Sequence, residues 1–416
     1  MNPCSQINPS ESVSEIHASA SVVLTGLGFQ AGSHTHRVLK TWIIDHSDPD
    51  PIGTIEAILE AYPTQECPID SGWLIMLSYE LGRVIEPKAG FQRMESGVFP
   101  LAVIQRWAPC ENQSDHIAGE YTIGPVESSM GRDGYIAAVE RTQAYIAAGD
   151  IYQANIAHHL QGSFSGSARS CYVDLVGVAD PRLGSMMIFD HKGTRHAIAS
   201  ISPELFIEAD LESRVIRTEP MKGTRPIGAD PDELRDSIKD RAELDMITDL
   251  MRNDLGRVCT LGSVQVIEPR KIESHKSGVL QASSTIEGVL ADGVGFGEII
   301  KATFPPGSVT GAPKVRAMQI IDELESLARD AYCGSMLVLD DSGKVKGSVS
   351  IRTAHIWGGI DPDCTDRIQN GKFVYPVGAG VVADSDPEAE WEETLVKAAV
   401  LRSALGNEIQ AQSTHK

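Results

Sequence analysis

The sequence is poor in the features that mark many protein classes. Its seven cysteines (Cys4, Cys67, Cys110, Cys171, Cys259, Cys333 and Cys364) are odd in number, widely spaced and never in Cys-x-x-Cys order. That argues against a disulfide framework or a zinc site, and for a reducing compartment. No run of about 18 apolar residues occurs, so no transmembrane helix is expected. No basic segment leading into a long apolar run opens the chain, so no signal peptide is expected and the cytoplasm is the expected location. Positive charge is scarce: 36 Lys and Arg stand against 57 Asp and Glu, a formal net charge of −21. So acidic a chain is not expected to bind nucleic acid or an anionic membrane through a general field. An anionic substrate would need a local basic pocket or a bridging metal cation. There is no internal repeat and no low-complexity tract.

What is present fits a globular protein. The chain has 416 residues, 42% of them hydrophobic and 22% charged, enough for one large domain or two ordinary ones. The first dozen residues are polar and read as a frayed end. Ile55 to Tyr62 reads as a short amphipathic helix, and Gly72 to Glu80 as a strand running into a turn. Glu111 to Gly131 is polar and glycine-containing, a boundary or long loop. Tyr135 to Gly149 has helical spacing, with Ile136, Val139, Tyr145 and Ile146 as its apolar positions. Strand-like runs follow at Ile151–Leu160, Ser185–Asp190, Ala197–Ser202 and Leu205–Ala209. Helices are expected at Asp232–Leu250, Gly297–Ala302 and Lys314–Leu327. Strands are expected at Met336–Leu339, Val345–Trp357 and Phe373–Val382, and a last helix at Glu388–Leu405. Strands that succeed one another without a helix between them imply antiparallel sheets in an α+β arrangement.

Five segments have the composition of a site. Thr218 to Pro226 brackets Lys222-Gly223-Thr224 with prolines, a stiff turn whose lysine could anchor an anion or, desolvated, act as a nucleophile. By itself such a tripeptide fits a solvated surface lysine better. Phe304 to Lys314 is a rigid, glycine-punctuated loop opening a helix, suited to a carboxylate or to a plain structural turn. It lacks the GxxxxGK[ST] order of a P-loop. Glu390 and Glu393 lie three apart on one predicted helix, and Asp240 and Glu243 on another. Facing each other, the two pairs would make an oxygen-only site for Mg²⁺; apart, they are two solvated acidic faces. Arg352 sits inside a strand-like run, facing either outward or, as a bidentate carboxylate binder, inward. Gly378 and Gly380 lie in a strand of small residues, where a ligand approaches closely or the strand bulges.

The order of these segments resembles the chorismate-utilising enzyme family. The resemblance runs through Gly149 to Asn155, Ser202 to Phe206, Pro220 to Pro226 and Asp249 to Arg257. It continues through Pro305 to Lys314, Ala331 to Gly334, Ile351 to Thr353 and Gly378 to Pro387. These eight co-linear motifs span about 250 residues; the N-terminal third is similar more loosely, around Gly72 to Glu86. The resemblance implies the α+β fold of anthranilate synthase component I: two antiparallel sheets packed face to face, helices outside, the site between layers. It also implies an N-terminal region over residues 1–125 and a chorismate-binding catalytic domain over residues 130–408.

Three positions choose within the family. Members that add water to chorismate carry a lysine where this chain has Gln153, the pattern of members that add ammonia. Members that make anthranilate typically read Pro-Ile-Ala-Gly-Thr, and those that aminate C4 read Pro-Ile-Lys-Gly-Thr; here the run is Pro-Met-Lys-Gly-Thr. Gln281 falls where anthranilate-forming members have a histidine thought to assist pyruvate loss, and glutamine is no base at neutral pH. The resemblance therefore implies conversion of chorismate and ammonia to 4-amino-4-deoxychorismate, towards 4-aminobenzoate and folate. The alternatives are an anthranilate-forming enzyme or a non-catalytic paralogue that binds an amidotransferase.

The implied roles follow residue by residue. Lys222 attacks C2, Glu204 is the general acid for the departing hydroxyl, and Gln153 stands at the nucleophile position. Glu243 and Glu393 are direct Mg²⁺ ligands, supported by Asp240 and Glu390. Tyr332 and Arg352 hold the enolpyruvyl carboxylate, while Gly223, Thr224, Thr310, Gly378, Gly380 and Lys397 line the pocket. With no Gly-x-Cys-x-Gly elbow in the chain, ammonia is expected from a partner glutamine amidotransferase or from free ammonium. The Leu-Leu-Glu-Ser motif of tryptophan feedback is absent too, so no tryptophan regulation is expected.

Overall fold

The computed structural model describes residues 13–16, 21–25, 34–62, 71–90, 99–109, 119–226, 228, 230–275 and 279–405. The polar first dozen residues, and residues 110–118 of the expected long loop, lie outside them. No helix among the described residues is long and apolar enough to cross a membrane.

The strands pair antiparallel throughout. One sheet starts with Val13–Ile16 and Ser21–Thr25 on His34–Ile44. It continues through Ala102–Pro109, Gly72–Leu77, Ser335–Asp340, Lys344–Val349, Leu205–Asp210 and Val215–Glu219 to Val279–Val289, which also pairs Met221–Pro226 and Gln265–His275. The second runs from Ser21–Thr25 through Leu183–His191, Thr194–Ser202, Thr353–Ile360 and Arg367–Val381 to Gln153–Ser167. The Ser21–Thr25 strand joins the two. The architecture is α+β with two antiparallel sheets, as expected.

Packing explains why the central strands are so apolar. In Gly72–Leu77 every residue is buried. Leu74 and Met76 point into a core shared with Met187 and Ile198 of the second sheet. Trp73, Ile75 and Leu77 point the other way, against Ile55, Ile247 and Ile299 of the outer helices. A strand covered on both faces needs a continuous apolar run, because neither face meets water. The second sheet has its own outer cover, where Cys171, Tyr172 and Leu175 pack on Ile188, Ala197 and Ile356.

Several expected boundaries shift for identifiable reasons. The first helix is Pro51–Ala61, a turn earlier than expected, because the Asp50 carboxylate accepts from the Gly53 N–H (3.1 Å) and Pro51 opens the helix. The expected Asp232–Leu250 helix is two, Pro231–Asp236 and Ile238–Gly256. Ser237 is extended between them and its hydroxyl accepts from Asp240 N–H (3.2 Å). The expected Val345–Trp357 strand is also two, broken at Ser350-Ile351-Arg352. The last helix breaks at Ala398.

A buried ion pair ties these layers together behind the cavity described below. Arg329 and Glu325 meet at 2.5 Å and 2.9 Å. Two further guanidinium hydrogens donate to Val309 O (2.8 Å) and Asn155 O (2.6 Å), and Glu325 also accepts from Ala157 N–H (2.8 Å). Arg329→Met leaves Glu325 as a buried charge without its counter-ion. It is expected to destabilise the fold by about 3–5 kcal/mol, read as a lowered urea midpoint, with a smaller loss when Glu325→Gln is added.

Candidate active site

The cavity, about 160 Å³, is built where strands of both sheets end beneath two helices. Met221–Pro226 supplies Lys222. At Gly223 the pairing with Val279–Val289 slips by one residue, and Gly223 takes φ +75°. A Cβ there would lie 2.7 Å from Leu234 and 3.0 Å from the Asp240 carboxylate, so the bulge needs glycine on both counts. The bulge aims Lys222 into the cavity, where its Nζ donates to Ser308 O (3.2 Å).

Gly378 and Gly380 form the floor. A Cβ on Gly378 would stand 3.0 Å from the Tyr332 hydroxyl; one on Gly380 would stand 2.5 Å from Gln153 Nε2 and 3.1 Å from Lys222 Nζ. Their missing side chains are what let those three groups approach. Gln153 is wholly buried beneath this floor, and among the described residues neither the nitrogen nor the oxygen of its amide has a hydrogen-bond partner.

Arg352 lines the cavity from the break between two strands, not from within a strand as its sequence context suggested. Its φ of +50° is left-handed, costly for a residue with a Cβ. The break turns the guanidinium inward. Among the described residues it makes no ion pair, and burial pulls its pKa below the arginine norm, opposed by Tyr375 and Glu204. An inward arginine without a carboxylate is a receptor for one.

The helices Ile238–Gly256 and Pro387–Lys397 contribute the acids. Asp240, Glu243, Glu390 and Glu393 all line the cavity. Asp240 is held by Arg225 (2.7 Å). Glu393 pairs with Lys397 (2.8 Å), whose Nζ also donates to Gly378 O (2.7 Å). Oxygen-only donors on two helices have the chemistry that Mg²⁺ prefers. Among the described residues no three of them yet converge into a cage.

Titration separates the two reactive groups. Burial raises the Glu204 carboxyl from an ordinary 4.5 to about 7; the Ser308 hydroxyl, Lys222, Lys397 and the Met221 N–H draw it back only part way. Burial lowers the Lys222 pKa, which Glu243 opposes and Lys397 reinforces. Burial thus favours the neutral amine of Lys222 and the protonated form of Glu204. Burial likewise keeps the Tyr332 phenol protonated.

One expected lining residue stands elsewhere. Thr310 is fully buried and spends its hydroxyl on Pro306 O (3.1 Å) and Gly307 O (3.2 Å), while Ser308 of the same loop lines the cavity. The short Gly307–Val309 turn decides which hydroxyl faces in, and nothing in the sequence signals it. The backbone of Thr224 pairs with that of Gln281. Gln281 itself lines the cavity, as do Asn155, Arg225 and Tyr375, which sequence reasoning had not placed there. Asn155 had a signal: it is two residues beyond Gln153, so it shares a strand face with it.

Comparison with known proteins agrees with this geometry. The profile of the chorismate binding enzymes matches residues 100–403. Aminodeoxychorismate synthase component 1 of Escherichia coli (strain K12) is 34% identical over 385 residues, covering 84% of this chain and 81% of that protein. Anthranilate synthase component 1 1 of Haloarcula marismortui is 36% identical, covering 67% of this chain and 55% of that protein. Among solved structures, anthranilate synthase component I from Streptococcus pneumoniae TIGR4 superposes with a TM-score of 0.67 at 20% identity, covering 96% of this chain and 93% of that one. The menaquinone-specific isochorismate synthase from Escherichia coli gives a TM-score of 0.66 at 17% identity, covering 94% of each chain. With the family profile spanning most of its length and the cavity inside that span, the chain belongs to the chorismate binding enzymes.

Proposed function

We propose that the chain aminates chorismate at C4, giving 4-amino-4-deoxychorismate for 4-aminobenzoate and folate synthesis. The observation that carries this is one cavity holding a lysine of lowered pKa, Lys222, and a carboxylic acid of raised pKa, Glu204. The identity to aminodeoxychorismate synthase component 1, which extends over 84% of the chain, supports the same reading.

The chemistry is a displacement in two steps. The neutral Lys222 amine forms a bond to C2, the ring double bonds shift, and the C4–O bond breaks. Glu204 gives its proton to the departing hydroxyl, which leaves as water. Ammonia then bonds to C4, the double bonds shift back, the C2–N bond breaks, and Lys222 is released. The Glu204 carboxylate recovers a proton from the new ammonium group. The sum is chorismate plus ammonia giving product plus water. The unspent Gln153 amide lies beside Lys222 and is suited to orient the incoming ammonia.

Arg352 and Tyr332 hold the enolpyruvyl carboxylate. Magnesium, when bound, supplies positive charge for the ring carboxylate; Glu243 and Glu393 would hold it, with Glu390 and Asp240 supporting. Lys397 and the glycines shape the remaining wall. A glutamine amidotransferase is the proposed ammonia source, which suits the absence of a Gly-x-Cys-x-Gly elbow here.

Incubation with chorismate, Mg²⁺ and ammonium is expected to give 4-amino-4-deoxychorismate, with EDTA abolishing turnover. Fluorescent anthranilate formed without any lyase would overturn the reading. Lys222→Ala is expected to lower kcat by at least about a thousandfold, and unchanged amination would remove it as nucleophile.

The pH profile should be bell-shaped. Activity needs Lys222 without its proton, which its lowered pKa favours, and Glu204 with its proton, which it loses as the pH passes about 7. Glu204→Gln should cost about 10²- to 10⁴-fold in kcat. It should also raise Tm at pH 8, where the native carboxylate is buried and charged. The rise should shrink towards pH 5, where the folded protein keeps Glu204 neutral.

A further inference from the structure

Asn155 lines the cavity and is not used in the scheme above. It lies on the cavity face of the Gln153–Ser167 strand, directly opposite Gly380. The side chain is buried yet lines the cavity. Its backbone is fully occupied: the N–H donates to Thr310 O (2.8 Å), and the carbonyl accepts from Arg329 (2.6 Å). Among the described residues the side-chain Nδ2 meets no partner at full hydrogen-bond geometry. Its nearest acceptor is the Tyr332 phenol, a weak side-chain hydrogen bond that favours that group's ionised form and leaves the other amide hydrogen facing the cavity.

A buried amide hydrogen left unpaired is unfavourable unless something takes it up. A purely structural asparagine would donate to a neighbouring carbonyl. Here the neighbour is the Tyr332 hydroxyl, across a floor kept open by Gly378. Ammonia is a poor occupant, because a donor aimed at its lone pair would block the attack. A carboxylate oxygen accepts from an amide without conflict.

We infer that Asn155 Nδ2 is a third donor to the carboxylate that Tyr332 and Arg352 hold, fixing the substrate's enolpyruvyl arm without adding charge. The inference rests on the chorismate reading. An uncharged donor suits this place because Arg352 already supplies the positive charge. Its pinned backbone sets the amide's position before the ligand arrives, so little ordering remains on binding.

The test is chorismate binding by calorimetry without ammonia, alongside KM and kcat with ammonium, for wild type, N155L, N155D and N155S. N155L is expected to weaken binding and raise KM about 10- to 100-fold, with kcat within a few-fold. N155D is expected to be at least as impaired at pH 8. It should recover as the pH falls, because the protonated acid regains an O–H donor; N155L should show no such recovery. N155S, which keeps a donor, should fall between. If N155L does not fold, the pH-dependent recovery of N155D and the intermediate affinity of N155S decide. Folded variants that bind as wild type does overturn the Asn155 assignment alone. Wild type that binds no chorismate overturns the reading beneath it.

Discussion

The buried pair of Glu325 and Arg329 is the constraint on which the site depends. Two charges removed from water hold only if further hydrogen bonds satisfy most of their remaining hydrogens and lone pairs. Arg329 spends four of its five guanidinium hydrogens on Glu325, Val309 O and Asn155 O, and Glu325 accepts from Ala157. Its guanidinium also packs over the ring of Tyr332. One side chain thus fixes the strand carrying Gln153 and Asn155, the loop carrying Ser308, and the aromatic ring at the carboxylate end. The pair does not touch the cavity, but it sets where the cavity's walls stand.

The same low-dielectric interior explains the chemistry in front of it. A protein of net charge −21 concentrates Lys222, Arg225, Arg352 and Lys397 around one hollow. Some of these cations are already committed, Arg225 to Asp240 and Lys397 to Glu393. Among the described residues Arg352 makes no ion pair, and Lys222 donates to the Ser308 carbonyl. Burial acts on the last acid and the last amine in opposite directions, raising Glu204 and lowering Lys222. One physical effect, desolvation, thereby prepares both a proton donor and a nucleophile.

Much of this was legible in the residues. The all-buried Gly72–Leu77 strand announced itself as an unbroken apolar run, and the helices and successive strands implied the α+β class. The acidic pairs Asp240/Glu243 and Glu390/Glu393 were legible as shared helix faces, and the structure brings both pairs to one cavity. Arg352 was legible as a candidate but not in its conformation, because a left-handed break inside an apparently continuous strand has no glycine to mark it. The break at Ser237 was hidden for a related reason: helical periodicity continues across it, and only the serine cap shows that a new helix begins.

By itself the sequence determined the class of fold, the family and the chemical identity of the groups available, because these follow from periodicity and from residue types in order. Tertiary structure alone decided which of them meet. The bulge at Gly223 and the bare floor at Gly378 and Gly380 bring Lys222, Gln153 and Tyr332 to one place. The short turn at Gly307–Val309 exchanges Thr310 for Ser308 at the wall. The pinned backbone of Asn155 turns its amide to the cavity. The bulge, the floor and the pinned asparagine depend on contacts between segments far apart in the chain, and the turn on its own local hydrogen bonds; in each, the absence of a side chain or the local backbone geometry counts for more than the residues around it.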